Sequence, residues 1–258
     1  MNRFKAADWL KLAHALDVLG RPNSAISFSA AQRTQFADIL AQYQQQAEVM
    51  GLNASATSTR RLREKVSAGS PPPDLKLAAA ELQGRIDDEM EAALCLSLSP
   101  REKDLYGHAA PFGNEVADAF PSAAYDIEEA AKCLALERAT ACVFHLVRVL
   151  EVGLHELGAA LGVPDLEMQA NPTWEAVLAK CDKELAKPAK SRDPKWESQA
   201  EFFAEAVAQL RAVKVAWRNP TMHVDRVYDP SRAEDIWGSV RAYMRHLATK
   251  LHEEPQSS

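Results

Sequence analysis

Residues 214–225 read KVAWRNPTMHVD, and this stretch decides the predicted fold and the predicted site. Pro220 disfavours the α conformation of the residue before it, so the helix carrying the stretch is predicted to end near Arg218 or Asn219. Arg218 then lies on the last helical turn, and His223 lies in the connector beyond it. Residues five apart on an unbroken helix lie on different faces, whereas a connector lets these two side chains converge.

An arginine beside a histidine is suited to phosphate chemistry. Arg218 can bind a phosphate through two parallel hydrogen bonds and does not lose its charge. His223 can gain or lose a proton near neutral pH. Asn219 has two open interpretations: it orients His223 or contacts phosphate, or it is only a residue that commonly ends a helix before proline.

A basic stripe leads toward this stretch. Arg211, Lys214 and Arg218 follow the spacing i, i+3, i+7, which places them on one helix face. From Arg211 to Lys250 the sequence has eight basic and four acidic residues, although the whole chain has a net charge of −6. Arg211 and Lys214 are therefore candidates for substrate binding. The alternative is that they only complement the dipole at the helix C-terminus and solubilise the surface.

Apolar residues recur at helical spacing along most of the chain, and no alternating strand pattern reaches a convincing length. The predicted fold class is therefore all-α. Residues 1–114 are predicted to form an N-terminal helical region with a linker near residues 52–73. Within that region Ser29 and Gln32 form a predicted capping box, which opens a helix that ends before Gly51. The linker is predicted to contain a short basic helix around Arg60, Arg61, Arg63 and Lys65, and Asp74 is predicted to cap the helix that follows it.

Residues 115–258 are predicted to form an up-and-down four-helix bundle with one extra short helix. The first two helices are expected near residues 122–136 and 139–161. The short helix follows Asn171-Pro172, and the last two open at Asp193-Pro194 and Asp229-Pro230, where Asp caps the helix and Pro takes its first position.

The pattern Arg218-Asn219-x-x-x-His223 resembles the R-x4-6-H signature of the HEPN superfamily, including the Asn that often follows its Arg. The helical pair in residues 120–151 resembles the first two helices of such proteins, and the resemblance covers roughly residues 115–252. It implies a HEPN-like bundle acting as a metal-independent endoribonuclease in phage defence or a toxin–antitoxin system. Arg218 would hold the scissile phosphate and His223 would act as general base or acid.

The resemblance also implies further site residues and partners. HEPN proteins often place a polar residue of an early helix near the Arg–His pair, and Arg148 or Glu151 can serve here; otherwise this polar stripe is only solvated. The implied partners are RNA, a second copy in a homodimer, and an antitoxin or nucleotidyltransferase. In toxin members a Tyr that the nucleotidyltransferase modifies stands two residues after the His, but here that residue is Asp225, which argues against this route of regulation.

A second class of function remains open, namely a non-catalytic HEPN-like module that binds RNA or a protein partner. The net charge of −6 favours this alternative, because acidic proteins are poor general coats for nucleic acid.

The sequence predicts no metal site, no cofactor and no membrane span. His155-Glu156 begins like the zinc motif H-E-x-x-H, but the second His is absent. The four cysteines form no C-x-x-C pair, and with no leader pattern at the N-terminus they are expected to be reduced thiols in a cytoplasmic protein.

Overall fold

The computed structural model describes residues 6–20, 28–161, 174–188, 191, 199–213 and 227–253. Within these ranges every regular element is a helix and no strand occurs, which confirms the all-α fold class. The chain divides into two compact units, Met1–Leu96 and Ser97–Ser258. This division lies before the predicted boundary at residue 114.

The first unit contains four described helices: α1 (Ala6–Gly20), α2 (Ala30–Met50), α3 (Asn53–Ser67) and α4 (Pro72–Glu91). The Ser29 hydroxyl accepts from the backbone N–H of Gln32, and the Gln32 side chain accepts from the N–H of Ser29, so the predicted capping box is present. Gly51 ends α2 in the left-handed conformation with φ 78°. Local sequence therefore sets both ends of this helix.

The prediction of a linker near residues 52–73 needs correction. Helix α3 occupies most of that segment, and α4 begins at Pro72 rather than at a cap formed by Asp74. Leu62 and Val66 of α3 are completely buried between α2 and α4. The basic helix is longer than predicted. Its length was hidden because Arg60, Arg61, Arg63 and Lys65 make α3 polar on average, and because half of its buried positions are hydroxyl residues, namely Ser55, Ser58 and Thr59.

The second unit begins with elements that the sequence pattern missed. Helix α5 (Pro100–Gly107) opens with a capping box of Ser99 and Glu102, followed by α6 (Asn114–Ala119) and a 3-10 turn, Pro121–Ala123. Helix α5 packs against the first helix of the predicted bundle, so residues 97–114 belong with the second unit. The helix is too short to show a hydrophobic period, but its cap was readable from the sequence.

The bundle helices are α7 (Ala124–Ala135), α8 (Ala139–Ala160), α9 (Trp174–Leu185), α10 (Ala200–Val213) and α11 (Pro230–Ala248). Helices α7, α8 and α11 lie within a few residues of their predicted positions. Asp229 caps α11 by accepting from the N–H of Arg232 at 2.9 Å. The predicted opening residues of α9 and α10, Asn171-Pro172 and Asp193-Pro194, lie outside the described residues.

Helix α8 is the centre of the bundle, and it packs against α7, α9, α10 and α11. Its buried residues include Leu146, Leu150 and Leu157, which share a continuous core with Leu210 of α10 and Leu247 of α11. Residues on the opposite side of α8 face outward. None of the helices in the described part of the chain combines the length and the apolar character needed to cross a membrane.

Candidate functional site

The structure describes the chain before and after the predicted motif. Lys214, Arg218, Asn219 and His223 lie outside the described residues. The helix before them ends, as far as it is described, at the buried Val213. After them the backbone N–H of Tyr228 donates to the hydroxyl of Thr140, in the first turn of α8, at 3.1 Å.

A buried carboxylate of α7 lies against α8, further along α8 than Thr140. Asp126, in the first turn of α7, has a side chain only 10% exposed. Its Oδ1 lies 2.8 Å from Nδ1 of His145, and both of its oxygens accept from Nε of Arg148 at 2.9 Å. The burial cost of the carboxylate is thus offset by an ion pair and by hydrogen bonds from two residues of α8.

Local structure explains why these three residues meet. His145 and Arg148 are three apart on α8 and therefore lie on one face. A tight turn brings α7 back against α8: Glu137 adopts the left-handed conformation with φ 54°, and the N–H of Arg138 donates to the carbonyl of Cys133 at 2.8 Å. This hairpin sets the N-terminal turn of α7 beside the outer face of α8.

The contacts of Asp126 determine how its two neighbours on α8 are held. The hydrogen bond and the charge of Asp126 raise the pKa of Arg148, so the guanidinium stays charged. A carboxylate can only accept hydrogen bonds, so the contact of Asp126 with His145 requires a proton on Nδ1 of the imidazole. In the neutral imidazole, Nε2 is then left as an acceptor.

The cluster is open to solvent on one side and flanked by aromatic rings. The side chain of Arg148 is 58% exposed. Tyr125 and Phe144 are exposed by 67% and 49%, which is high for aromatic residues. The Tyr125 ring meets the imidazole of His145 edge to face, with the ring centroids 6.5 Å apart. We call the set Asp126, Tyr125, Phe144, His145 and Arg148 the outer cluster.

Two other predicted site residues have structural partners. Glu151 accepts a hydrogen bond from the indole N–H of Trp174 at 3.1 Å, which ties α9 to α8. Arg211 forms an ion pair with Asp182 of α9. Arg148 alone among the predicted binding residues that the structure describes belongs to the outer cluster.

Sequence reasoning missed Asp126. The available signal was a carboxylate on the apolar face of α7, next to Ile127 and one turn before Ala130, where a small or apolar residue is expected. A charge at such a position needs a partner, and His145 and Arg148 lay on the neighbouring predicted helix.

No three His, Cys, Asp or Glu side chains lie close enough together to hold a metal ion in the part of the chain that the structure describes. Comparison of this chain with protein-family models, with curated proteins and with solved structures finds no match.

Proposed function

We propose that the chain is a metal-independent endoribonuclease of HEPN type, with Arg218 and His223 acting on the scissile phosphodiester. The supporting observation is where the chain returns after the RNPTMH sequence. Tyr228 is bonded to Thr140, and Arg148 follows Thr140 on α8 by about 12 Å at the usual helical rise. The polar outer cluster thus lies within a few turns of Tyr228, close to where the described chain resumes after the motif.

In the proposed reaction the 2′-OH of the RNA is the nucleophile. It attacks the adjacent phosphorus, the bond from phosphorus to the O5′ of the next nucleotide breaks, and the products carry a 2′,3′-cyclic phosphate and a 5′-hydroxyl. His223 removes the 2′-OH proton or donates a proton to O5′, and water, or the same histidine of the second copy in the dimer proposed below, makes the other transfer. Such catalysis contributes about 10²–10⁴ in rate. Arg218 holds the phosphate and stabilises the charge that develops on it.

We propose a homodimer with both motifs near its twofold axis, because one Arg and one His per chain make a sparse site and a twofold axis doubles both. The proposed setting is a cytoplasmic defence or toxin system with an antitoxin as regulator. A nucleotidyltransferase partner would have to act by another route, because Asp225 stands where the modified Tyr is expected. A monomer in light scattering at micromolar concentration would contradict the dimer.

Purified protein with labelled RNA in EDTA, beside a matched DNA oligonucleotide, tests the activity. Cleavage of RNA alone, ending in a cyclic phosphate, is expected because DNA lacks the attacking hydroxyl. His223→Ala should abolish cleavage, and Arg218→Lys should impair it because an ammonium cannot form the planar bidentate contact. Equal cleavage by His223→Ala, or a requirement for a divalent ion, would show the mechanism to be wrong.

A non-catalytic module that binds RNA or a protein partner is the second candidate. Two observations favour it: Arg148 and Arg211 are each paired with a carboxylate, and the chain is acidic overall. If no RNA is cut under any condition while binding persists, this second function replaces the first.

A further inference from the structure

We propose that the outer cluster is a binding subsite for one nucleotide of single-stranded RNA, with Arg148 on the backbone phosphate, His145 on the ribose 2′-OH and the rings of Phe144 and Tyr125 on the base. This proposal deepens the proposed function and rests on it, since it locates the strand on which that function would act. It extends to His145, Tyr125 and Phe144, which the Arg–His motif does not include.

The phosphate contact follows from how Arg148 is held. Asp126 bonds the Nε edge of the guanidinium, and within the described residues its two terminal Nη groups have no hydrogen-bond partner. Those Nη groups form a planar fork that matches two phosphate oxygens. Glu151 is near enough to act on the charge of Arg148, but its Oε1 is bonded to Trp174.

The ribose contact follows from the tautomer of His145. The contact with Asp126 favours a proton on Nδ1, so in the neutral imidazole Nε2 is the acceptor, and no described residue bonds to Nε2. A ribose 2′-OH is a donor that a deoxyribose lacks, so this contact distinguishes RNA from DNA.

The base contact follows from the exposed rings. Phe144 and Arg148 are four apart on α8, so their side chains are neighbours on one face. Tyr125 is close enough to act on the charge of Arg148 and touches the His145 ring. Exposed aromatic rings beside an arginine are the usual platform for an unstacked base, whereas the bases of a duplex are not available for such stacking.

Fluorescence anisotropy with a short labelled oligouridylate, its 2′-deoxy counterpart and the same RNA annealed to its complement tests the proposal. Binding is measured in the His223→Ala background, so that cleavage does not consume the probe. The chain that carries only His223→Ala is the parent for these measurements. It should bind single-stranded RNA more tightly than single-stranded DNA or duplex RNA.

Each cluster residue has its own expected effect. Arg148→Ala should weaken binding of both single strands about tenfold, because it removes a charge-assisted phosphate contact. Phe144→Ala should weaken both by about fivefold or more through lost stacking. His145→Ala should weaken RNA alone, by about fivefold, and bring the RNA-to-DNA preference close to one, because only RNA supplies the hydrogen bond that it removes.

Matched controls separate the site from general charge and from folding. Arg241→Ala removes an exposed arginine of α11 in the same unit and should leave affinity nearly unchanged. Arg148→Lys keeps a charge that can still pair with Asp126, so it guards against loss of fold, and it should still weaken binding because the fork is gone. Far-ultraviolet circular dichroism verifies that each variant keeps the helix content of the parent.

Parent-like binding by Arg148→Ala, Arg148→Lys and Phe144→Ala overturns the proposal, as does a parent that binds RNA and DNA equally or binds neither. Cleavage is scored separately in the chain with His223 intact. If every cluster variant cleaves RNA as well as the unsubstituted chain, the endoribonuclease function is retained and the proposed subsite is rejected. If the cluster variants weaken RNA binding but no RNA is cleaved, the subsite is supported and the endoribonuclease function is rejected.

Discussion

The backbone N–H of Tyr228 donates a hydrogen bond to the side-chain hydroxyl of Thr140, two residues far apart in sequence that meet at the start of α8. Tyr228 itself is buried, and the following Asp229 caps α11. The described chain after the predicted motif is therefore held at two consecutive residues, Tyr228 by its bond to α8 and Asp229 as the cap of the last helix.

Thr140→Val should lower stability by about 1 kcal/mol, because the N–H of Tyr228 loses its acceptor. If the proposed function holds, cleavage should fall by more than the change in the folded fraction explains, since this bond anchors the connection that follows His223. Thermal unfolding and an RNA cleavage assay measure the two effects. Thr140→Ser keeps a hydroxyl and is the control; an equal loss of activity in both variants would contradict a role for the hydrogen bond.

Gly153→Ala should destabilise the second unit by about 1–3 kcal/mol, the usual cost of overpacking a core. A Cβ at this position would lie 3.0 Å from Cδ1 of Leu247, 3.1 Å from Sδ of Met244 and 3.2 Å from Cε1 of Tyr243. The glycine therefore sets how closely α8 and α11 approach each other. Urea denaturation measures the change in the free energy of unfolding.

Gly238→Ala is the matched control for that substitution. This helical glycine of α11 has open space where a Cβ would be placed. Its replacement should raise stability by roughly 0.5–1 kcal/mol, because alanine loses less conformational freedom on entering a helix. Opposite signs for the two substitutions are expected; a gain for both would mean that the contact between α8 and α11 adjusts freely.

Thiol labelling should divide the cysteines by their environment. Burial raises the pKa of Cys142 and of Cys181 to about 12, and burial also raises the pKa of the half-buried Cys133. Since the thiolate is the reactive form, Cys142 and Cys181 should stay unlabelled in native protein near neutral pH, while the exposed Cys95 reacts first. Mass spectrometry after timed labelling tests the order. Rapid native labelling of Cys181 would contradict the buried contact of α9 with the core.

Glu89→Ala should destabilise the first unit by about 1 kcal/mol at neutral pH, because its carboxylate caps α3 from the neighbouring helix α4. The N–H groups of Ala54 and Ser55 donate to it at 2.9 and 2.8 Å. Burial raises the pKa of Glu89, but the hydrogen bonds from Ser55 and Ala54 outweigh that effect and leave the pKa below its ordinary value.

A lowered folded-state pKa sets the sign of the pH dependence. The contribution of Glu89 is complete above the ordinary glutamate pKa and is lost as the pH falls through the lower folded-state value. The difference in the free energy of unfolding between the parent and Glu89→Ala should therefore become smaller as the pH is lowered. Denaturant titrations repeated from neutral to acidic pH measure it. Glu91→Ala, on the same helix, is the control and should have nearly the same free energy of unfolding as the parent.

Sequence alone determined the helical class and many helix ends, because those depend on contacts within a few residues. The capping box at Ser29, the left-handed Gly51 and the Asp229-Pro230 opening are all local devices, and each appears where the pattern predicts it. The long apolar stripe of α8 likewise placed that helix near its observed bounds, because its period is a property of the segment itself.

Tertiary structure decided whatever depends on residues distant in sequence. The polar segment near residues 52–73 became a packed helix because α2 and α4 cover one of its faces and Glu89 caps its start. Asp126 could be placed only once the hairpin of α7 and α8 brought His145 and Arg148 to it. A buried charge is stable only with its partners in place, and the packing of separate helices, rather than the order of residues along any one of them, determines which partners it meets.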